Sequence, residues 1–184
     1  MNRNETLQQL LQQFHDTNSY DEALGLFKQL MTLETDLEKK AAYGLRMGGL
    51  AEGEHNFEAA REFYREALAL QPTRHEVWYY THNNLGYSLN RLGQFQEGEK
   101  LCREAIKIDP NLSNGHKNLG ISLAGQGEYR AAGESFVHAT RANPRDPRSL
   151  ALLKTLLQEQ PALEFEFASR LAECVELVNS VGPT

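Results

Sequence analysis

The chain has 184 residues, 40 % apolar and 24 % charged, with a net charge of −6; this suits one folded domain or one short repeat array and excludes a disordered polyelectrolyte. It has no basic tract to neutralise phosphates, which argues against nucleic acid as a partner. No apolar run reaches the roughly 20 residues of a membrane span, and the polar start lacks a signal core, so a soluble cytoplasmic protein without membrane insertion is expected.

Residues 5–14 place Leu7, Leu10, Leu11 and Phe14 on one helical face. After a polar turn at 15–19, residues 20–32 predict a second helix with Ala23, Leu24, Phe27 and Leu30 inward. Thr35 and Glu38 have the spacing of a capping box opening a third helix. That helix contains Gly44, Gly48 and Gly49, each costing up to about 1 kcal/mol against alanine, so close helix packing is predicted there. A fourth helix, about 57–70, turns Ala60, Phe63, Tyr64 and Ala67 inward and stops at Pro72. Thr73 and Glu76 repeat the capping-box spacing. The fifth helix is read as longer by about one turn, roughly 6 Å, with Trp78, His82, Leu85 and Leu89 in its inward stripe. Gly93 supplies a tight turn, and residues 95–108 form the sixth helix. A further helix pair follows with Gly127 in its turn. Asp146 and Pro147 then open helices at about 147–159 and 162–179. The last has Leu163, Phe167, Leu171, Cys174 and Val178 on one side and Glu164, Glu166, Glu173 and Glu176 elsewhere, which suits a terminal cap.

The stretch His82–Leu89 (His-Asn-Asn-Leu-Gly-Tyr-Ser-Leu) returns 34 residues later as His116–Leu123 (His-Lys-Asn-Leu-Gly-Ile-Ser-Leu). Gly93 and Phe95 recur as Gly127 and Tyr129, and Pro110 as Pro144. A period of this length marks a solenoid of helix pairs. The expected layout is one domain over 1–184: a divergent repeat at 4–37, clear repeats at 41–74, 79–112 and 113–146, and capping helices at 147–180.

The repeat resembles the tetratricopeptide (TPR) family. The third clear repeat supplies His116, Leu119, Gly120, Leu123, Ala132, Phe136, Ala139 and Pro144 at the family's characteristic positions. The second supplies His82, Leu85, Gly86, Leu89, Gly98, Cys102, Ala105 and Pro110, and the first Gly44, Met47, Gly48, Ala51, Ala60, Tyr64, Ala67 and Pro72. The resemblance implies an all-α, right-handed superhelical solenoid of about ten antiparallel helices. It also implies a protein-binding scaffold rather than an enzyme.

No catalytic constellation is legible. The six histidines include no i, i+4 pair of the kind a helical zinc site needs, and His82 and His116 read as packed core residues. Cys102 and Cys174 read as buried reduced thiols. No enzyme activity, cofactor or metal is therefore expected. At 100° per residue, the side of each first helix opposite the packed stripe should line the concave surface. There the chain offers Arg46, then Tyr80, Asn83, Asn84, Tyr87 and Arg91, then Asn114, Lys117, Asn118 and Ile121. An asparagine amide pairs with the main chain of an extended peptide through both donor and acceptor, and the resemblance implies that use for Asn84 and Asn118. Arg91 and Lys117 favour an acidic or carboxylate-terminated stretch. The family's chaperone-tail carboxylate clamp is not matched by Leu45, Gly49, Asn83 and Tyr87. The expected partner is another protein or peptide; the alternative is a self-associating scaffold, a homo-oligomer joined through its C-terminal helix or its exposed repeat ends.

Overall fold

The computed structural model describes residues 3–181, and among them it is all helical. The helices are α1 (Arg3–Asp16), α2 (Tyr20–Leu33), α3 (Leu37–Gly53), α4 (Phe57–Ala69), α5 (His75–Arg91), α6 (Phe95–Ile108), α7 (Ser113–Gly125), α8 (Tyr129–Ala142), α9 (Arg148–Glu159) and α10 (Glu164–Ser180), with a 3-10 turn at Pro161–Leu163 before the last. They form antiparallel pairs and divide into two compact units, Met1–Ser88 and Leu89–Thr184, the boundary falling inside α5.

In the first unit α1, α2 and α3 bury Leu10, Phe14, Ala23, Phe27, Leu30, Tyr43 and Met47 together, with Phe63 of α4 against them. The Phe27 and Phe63 rings meet edge to face at 5.4 Å, the arrangement that ring quadrupoles favour. A smaller cluster joins Ala41, Ala67 and Val77. In the second unit Cys102, Leu119, Leu123, Phe136, Leu150, Leu153, Leu157, Phe167 and Cys174 share one core. Leu163, Leu171 and Val178 pack on its edge, as the one-sided pattern of the last helix predicts.

The small residues do what close packing requires. A methyl on Gly48 would overlap the Tyr64 ring, and one on Gly120 would overlap the Phe136 ring; both pairs are 16 residues apart, so the repeat carries one contact twice. Three helix pairs also turn in the same way. His55, Gly93 and Gly127 all have positive φ, at 56°, 73° and 80°. The next amide in each case reaches back five residues, Asn56 to Ala51, Gln94 to Leu89 and Glu128 to Leu123, at 2.8–2.9 Å. This is the Schellman closure of a helix end, and its left-handed residue is glycine in two cases and histidine in the first.

The two capping boxes resolve differently from their sequence pattern. Asp36, not Thr35, caps α3, accepting from Glu38 N at 2.9 Å. The Glu38 carboxylate instead accepts from Thr73 N at 2.7 Å, the Thr73 hydroxyl at 3.1 Å and Arg74 N at 3.1 Å. It thus satisfies amides just before α5, a task that the spacing assigned to Glu76. A carboxylate at a helix start also meets the positive end of the helix dipole.

Candidate functional site

In the first unit the face outside the packed stripe is partly committed to internal bonds. Arg46 donates through Nε to Phe14 O at 2.9 Å, and its guanidinium to His15 O at 3.1 Å and Thr17 O at 2.7 Å. Its guanidinium carbon lies 5.3 Å from the Phe14 ring centre. The end of α1 leaves carbonyls without helical partners, and Arg46 supplies them. Asn83 donates to Asn84 Oδ1 at 2.9 Å, and Asn84 Nδ2 donates to the Tyr64 hydroxyl at 3.5 Å. Burial, with the neighbouring Glu52 charge, pushes that hydroxyl's pKa far up, so it stays protonated. Tyr80 is 40 % exposed, its ring edge to face with buried Tyr79 at 5.1 Å. Tyr87 is half-buried and meets Phe57 edge to face at 6.0 Å.

In the second unit the predicted residues Asn114, Lys117, Asn118 and Ile121 share α7, and Arg91 is exposed at the end of α5. Lys117 is only 8 % exposed. Its Nζ donates to Asn114 Oδ1 at 2.9 Å and lies 3.8 Å from Asp146 Oδ2. The same Asp146 carboxylate accepts from Arg148 N, Nε and the outer guanidinium nitrogen, at 3.1, 2.8 and 2.7 Å. Burial and the Arg148 charge pull the Lys117 pKa down while Asp146 opposes them. The Arg148 hydrogen bonds hold the Asp146 carboxyl below its usual range against the effect of burial, with Lys117 assisting. The cluster therefore joins two cations to one anion.

A buried polar seam that the sequence reading did not assign runs beside it. Asn118 is 4 % exposed, and its main-chain carbonyl accepts from Asn90 Nδ2 at 2.9 Å. The Ser122 hydroxyl lies within donating reach of Asn90 Oδ1 at 2.8 Å and Asn118 O at 3.0 Å. Gln126 continues the seam to Glu99 at 2.8 Å. In the first unit Ser88 donates to Glu52 at 2.8 Å. The signal was present: Ser88 and Ser122 stand at the same place in the repeated octet.

His82 is buried, its Nδ1 hydrogen-bonded to Trp78 O at 2.8 Å and its ring 4.4 Å from the Trp78 ring. His116 stacks on His138 at 5.5 Å, with Nε2 on Pro110 O at 2.9 Å. Cys102 and Cys174 are free and buried, and burial pushes the Cys102 thiol up to about 12, which keeps it unreactive. Among the described residues no group of three or more His, Cys, Asp or Glu is placed to hold a metal ion, and no helix is long and apolar enough to cross a membrane.

Two tetratricopeptide repeat family models match this chain, one over residues 79–112 and the other over 45–74. Residues 45–74 and 79–112 are thus tetratricopeptide repeats. The human tetratricopeptide repeat proteins 7A and 7B are each 31 % identical to it over 100 residues, which is 54 % of this chain and 11 % of theirs. The chain thus matches about a tenth of the length of these curated relatives. Among solved structures, MamA 41-end from Desulfovibrio magneticus RS-1 superposes with a TM-score of 0.77 at 16 % identity, covering 98 % of this chain and 97 % of that one. The Arabidopsis OM64 TPR domain gives 0.61 at 21 % identity, covering 67 % and 98 %. The Hsp90 co-chaperone Cns1 from Saccharomyces cerevisiae gives 0.66 at 17 %, covering 78 % and 46 %. At these identities the likeness is one of fold.

Proposed function

We propose that this chain is an interaction module that takes a partly extended, acidic or carboxylate-terminated peptide segment against α7 and the start of α9. The observation that carries this reading is Lys117. A lysine ammonium has three donors, and among the described residues Lys117 Nζ meets two acceptors, Asn114 Oδ1 and Asp146 Oδ2. A buried cation with donor capacity left is suited to an incoming carboxylate, because charge-assisted hydrogen bonds are the strong ones. Arg148 stands beside it, and Ile121 offers half-buried apolar contact on the same helix. The presence of an Hsp90 co-chaperone among the structural neighbours supports a protein or peptide partner over a small molecule. Amide chemical-shift mapping tests the reading: titration with an acidic peptide should move α7 and the start of α9 first. Shifts scattered over the helix exteriors would contradict it.

A second reading, self-association, rests on one observation: Phe165 on α10 is 95 % exposed. Light scattering over a concentration series decides it. A mass that stays monomeric at every concentration removes it.

A further inference from the structure

Asp146 occupies the place that the peptide reading reserves for a ligand carboxylate. Its side chain is only 11 % exposed, and it bridges cations from two helices, Lys117 of α7 and Arg148 in the first turn of α9. The bridge is preorganised. Asp146 N donates to Asn143 O at 3.2 Å, and Asn143 Oδ1 accepts from Arg145 N at 3.2 Å, so the turn that carries the carboxylate is itself hydrogen-bonded. A tethered group acts at high effective concentration. The Nε side of the Arg148 fork is taken up in two parallel bonds, the geometry a foreign carboxylate would also seek.

We propose that Asp146 is an internal competitor that sets the acid threshold of this site: a partner's carboxylate must exchange with it on Lys117 and Arg148. The proposal rests on the acidic-peptide reading and adds a specificity residue to it. A lone ligand carboxylate gains little by replacing an identical, already tethered one, and it meets the Asp146 charge if both stay. A segment with two neighbouring carboxylates can take Lys117 with one and Arg148 with the other. The ligand class is therefore a doubly acidic stretch, a pair of acidic side chains or an acidic residue at a free C-terminus. Asp146 rejects singly charged segments, as a like charge placed beside a binding cation does.

The test is fluorescence anisotropy with a fluorescein-labelled hexaglutamate peptide bearing a free C-terminus, and an amidated hexaglutamine as control. Asp146→Asn and Asp146→Ser both keep an oxygen acceptor for the Arg148 amide, so either one serves if the other folds poorly by circular dichroism. Each should bind hexaglutamate at least about tenfold more tightly than the unmodified chain, with a gain that shrinks as salt rises. The double variant Asp146→Asn, Lys117→Gln should lose that gain. Folded Asp146 variants that bind no more tightly than the unmodified chain overturn the proposal. If Lys117→Gln weakens hexaglutamate binding while the Asp146 variants gain nothing, the peptide reading stands and the competitor falls. If hexaglutamate binds no protein better than the control does, both fall.

Discussion

The Ser122 hydroxyl lies 2.8 Å from Asn90 Oδ1, and 34 residues earlier the Ser88 hydroxyl lies 2.8 Å from a Glu52 carboxylate oxygen. Each unit thus ties one first helix to an earlier one through a serine at the same repeat position. In the second unit the tie is buried, and Asn90 also serves the Asn118 carbonyl at 2.9 Å. Truncating it removes two buried hydrogen bonds, so Asn90→Ala should cost about 1–3 kcal/mol. Ser122→Ala removes one donated bond, since a hydroxyl has a single proton, and should cost about 0.5–1.5 kcal/mol. Chemical denaturation compares them; an Asn90→Ala midpoint equal to that of the parent would mean the seam contributes nothing.

His55 performs a glycine's task. With φ at 56° it occupies the left-handed position that Gly93 and Gly127 fill in the later turns. A side chain with a Cβ is strained in that region. His55→Gly should therefore raise stability, by up to about 1 kcal/mol, less whatever flexibility glycine adds to the unfolded chain. Gly127→Ala should do the reverse. A thermal melt in which His55→Gly unfolds earlier would show that the His55 ring, 6.1 Å from Phe57, outweighs the backbone term.

Acid should loosen the first unit through Glu34 and Glu38. Burial alone raises both pKa values. At Glu34 the Asp36 and Thr35 amides, Lys39 and the Tyr43 hydroxyl bring the net value below the ordinary 4.5. At Glu38 the Thr73 and Arg74 amides do so, with the Thr73 hydroxyl and the Arg74 charge assisting. A depressed folded pKa means that the unfolded chain binds the proton first as pH falls. The stabilisation is therefore complete above about pH 4.5 and is lost as pH drops below it toward the folded values. Glu38→Gln should flatten the fall of the urea midpoint between about pH 5 and about pH 3. Identical slopes for variant and parent would contradict this.

Phe167 seals the second unit. Its ring is fully buried and lies over Gly133, where an added methyl would meet it at 2.7 Å. Phe167→Ala should cost about 3–5 kcal/mol. Deleting 161–184 should leave the faces of α8 and α9 bare and cause aggregation. A truncated chain as soluble and as heat-stable as the full one would show that α10 is dispensable.

Local and periodic features were legible in the sequence; long-range polar choices were not. The octet repeat located α5 and α7, and the one-sided pattern of the last helix marked its buried residues, because periodicity directly reports which face is apolar. Gly93 and Gly127 announced their turns, but His55 could not, since nothing in a histidine signals positive φ. Glu38 matched a local capping box, yet its carboxylate goes to Thr73 and Arg74, about one repeat away. Arg46 looked like a surface cation of its helix and instead serves carbonyls at the end of α1. Lys117 was placed on the ligand-facing side of α7, but no sequence signal marked its burial or its pairing with Asp146. In each case the partner lies many residues distant, where spacing rules carry no information.

On the proposed function, α7 reads an acidic peptide through Lys117 and its neighbours. It is tested by isothermal titration of hexaglutamate, free at its C-terminus, into the intact chain and into Lys117→Gln and Asn118→Ala variants whose helicity and melting temperature have been checked. Binding by the parent should be saturable, weakened roughly tenfold by losing the ammonium and roughly threefold to tenfold by losing the Asn118 amide. Affinity unchanged in both variants would contradict it and leave these residues as parts of the repeat's packing alone.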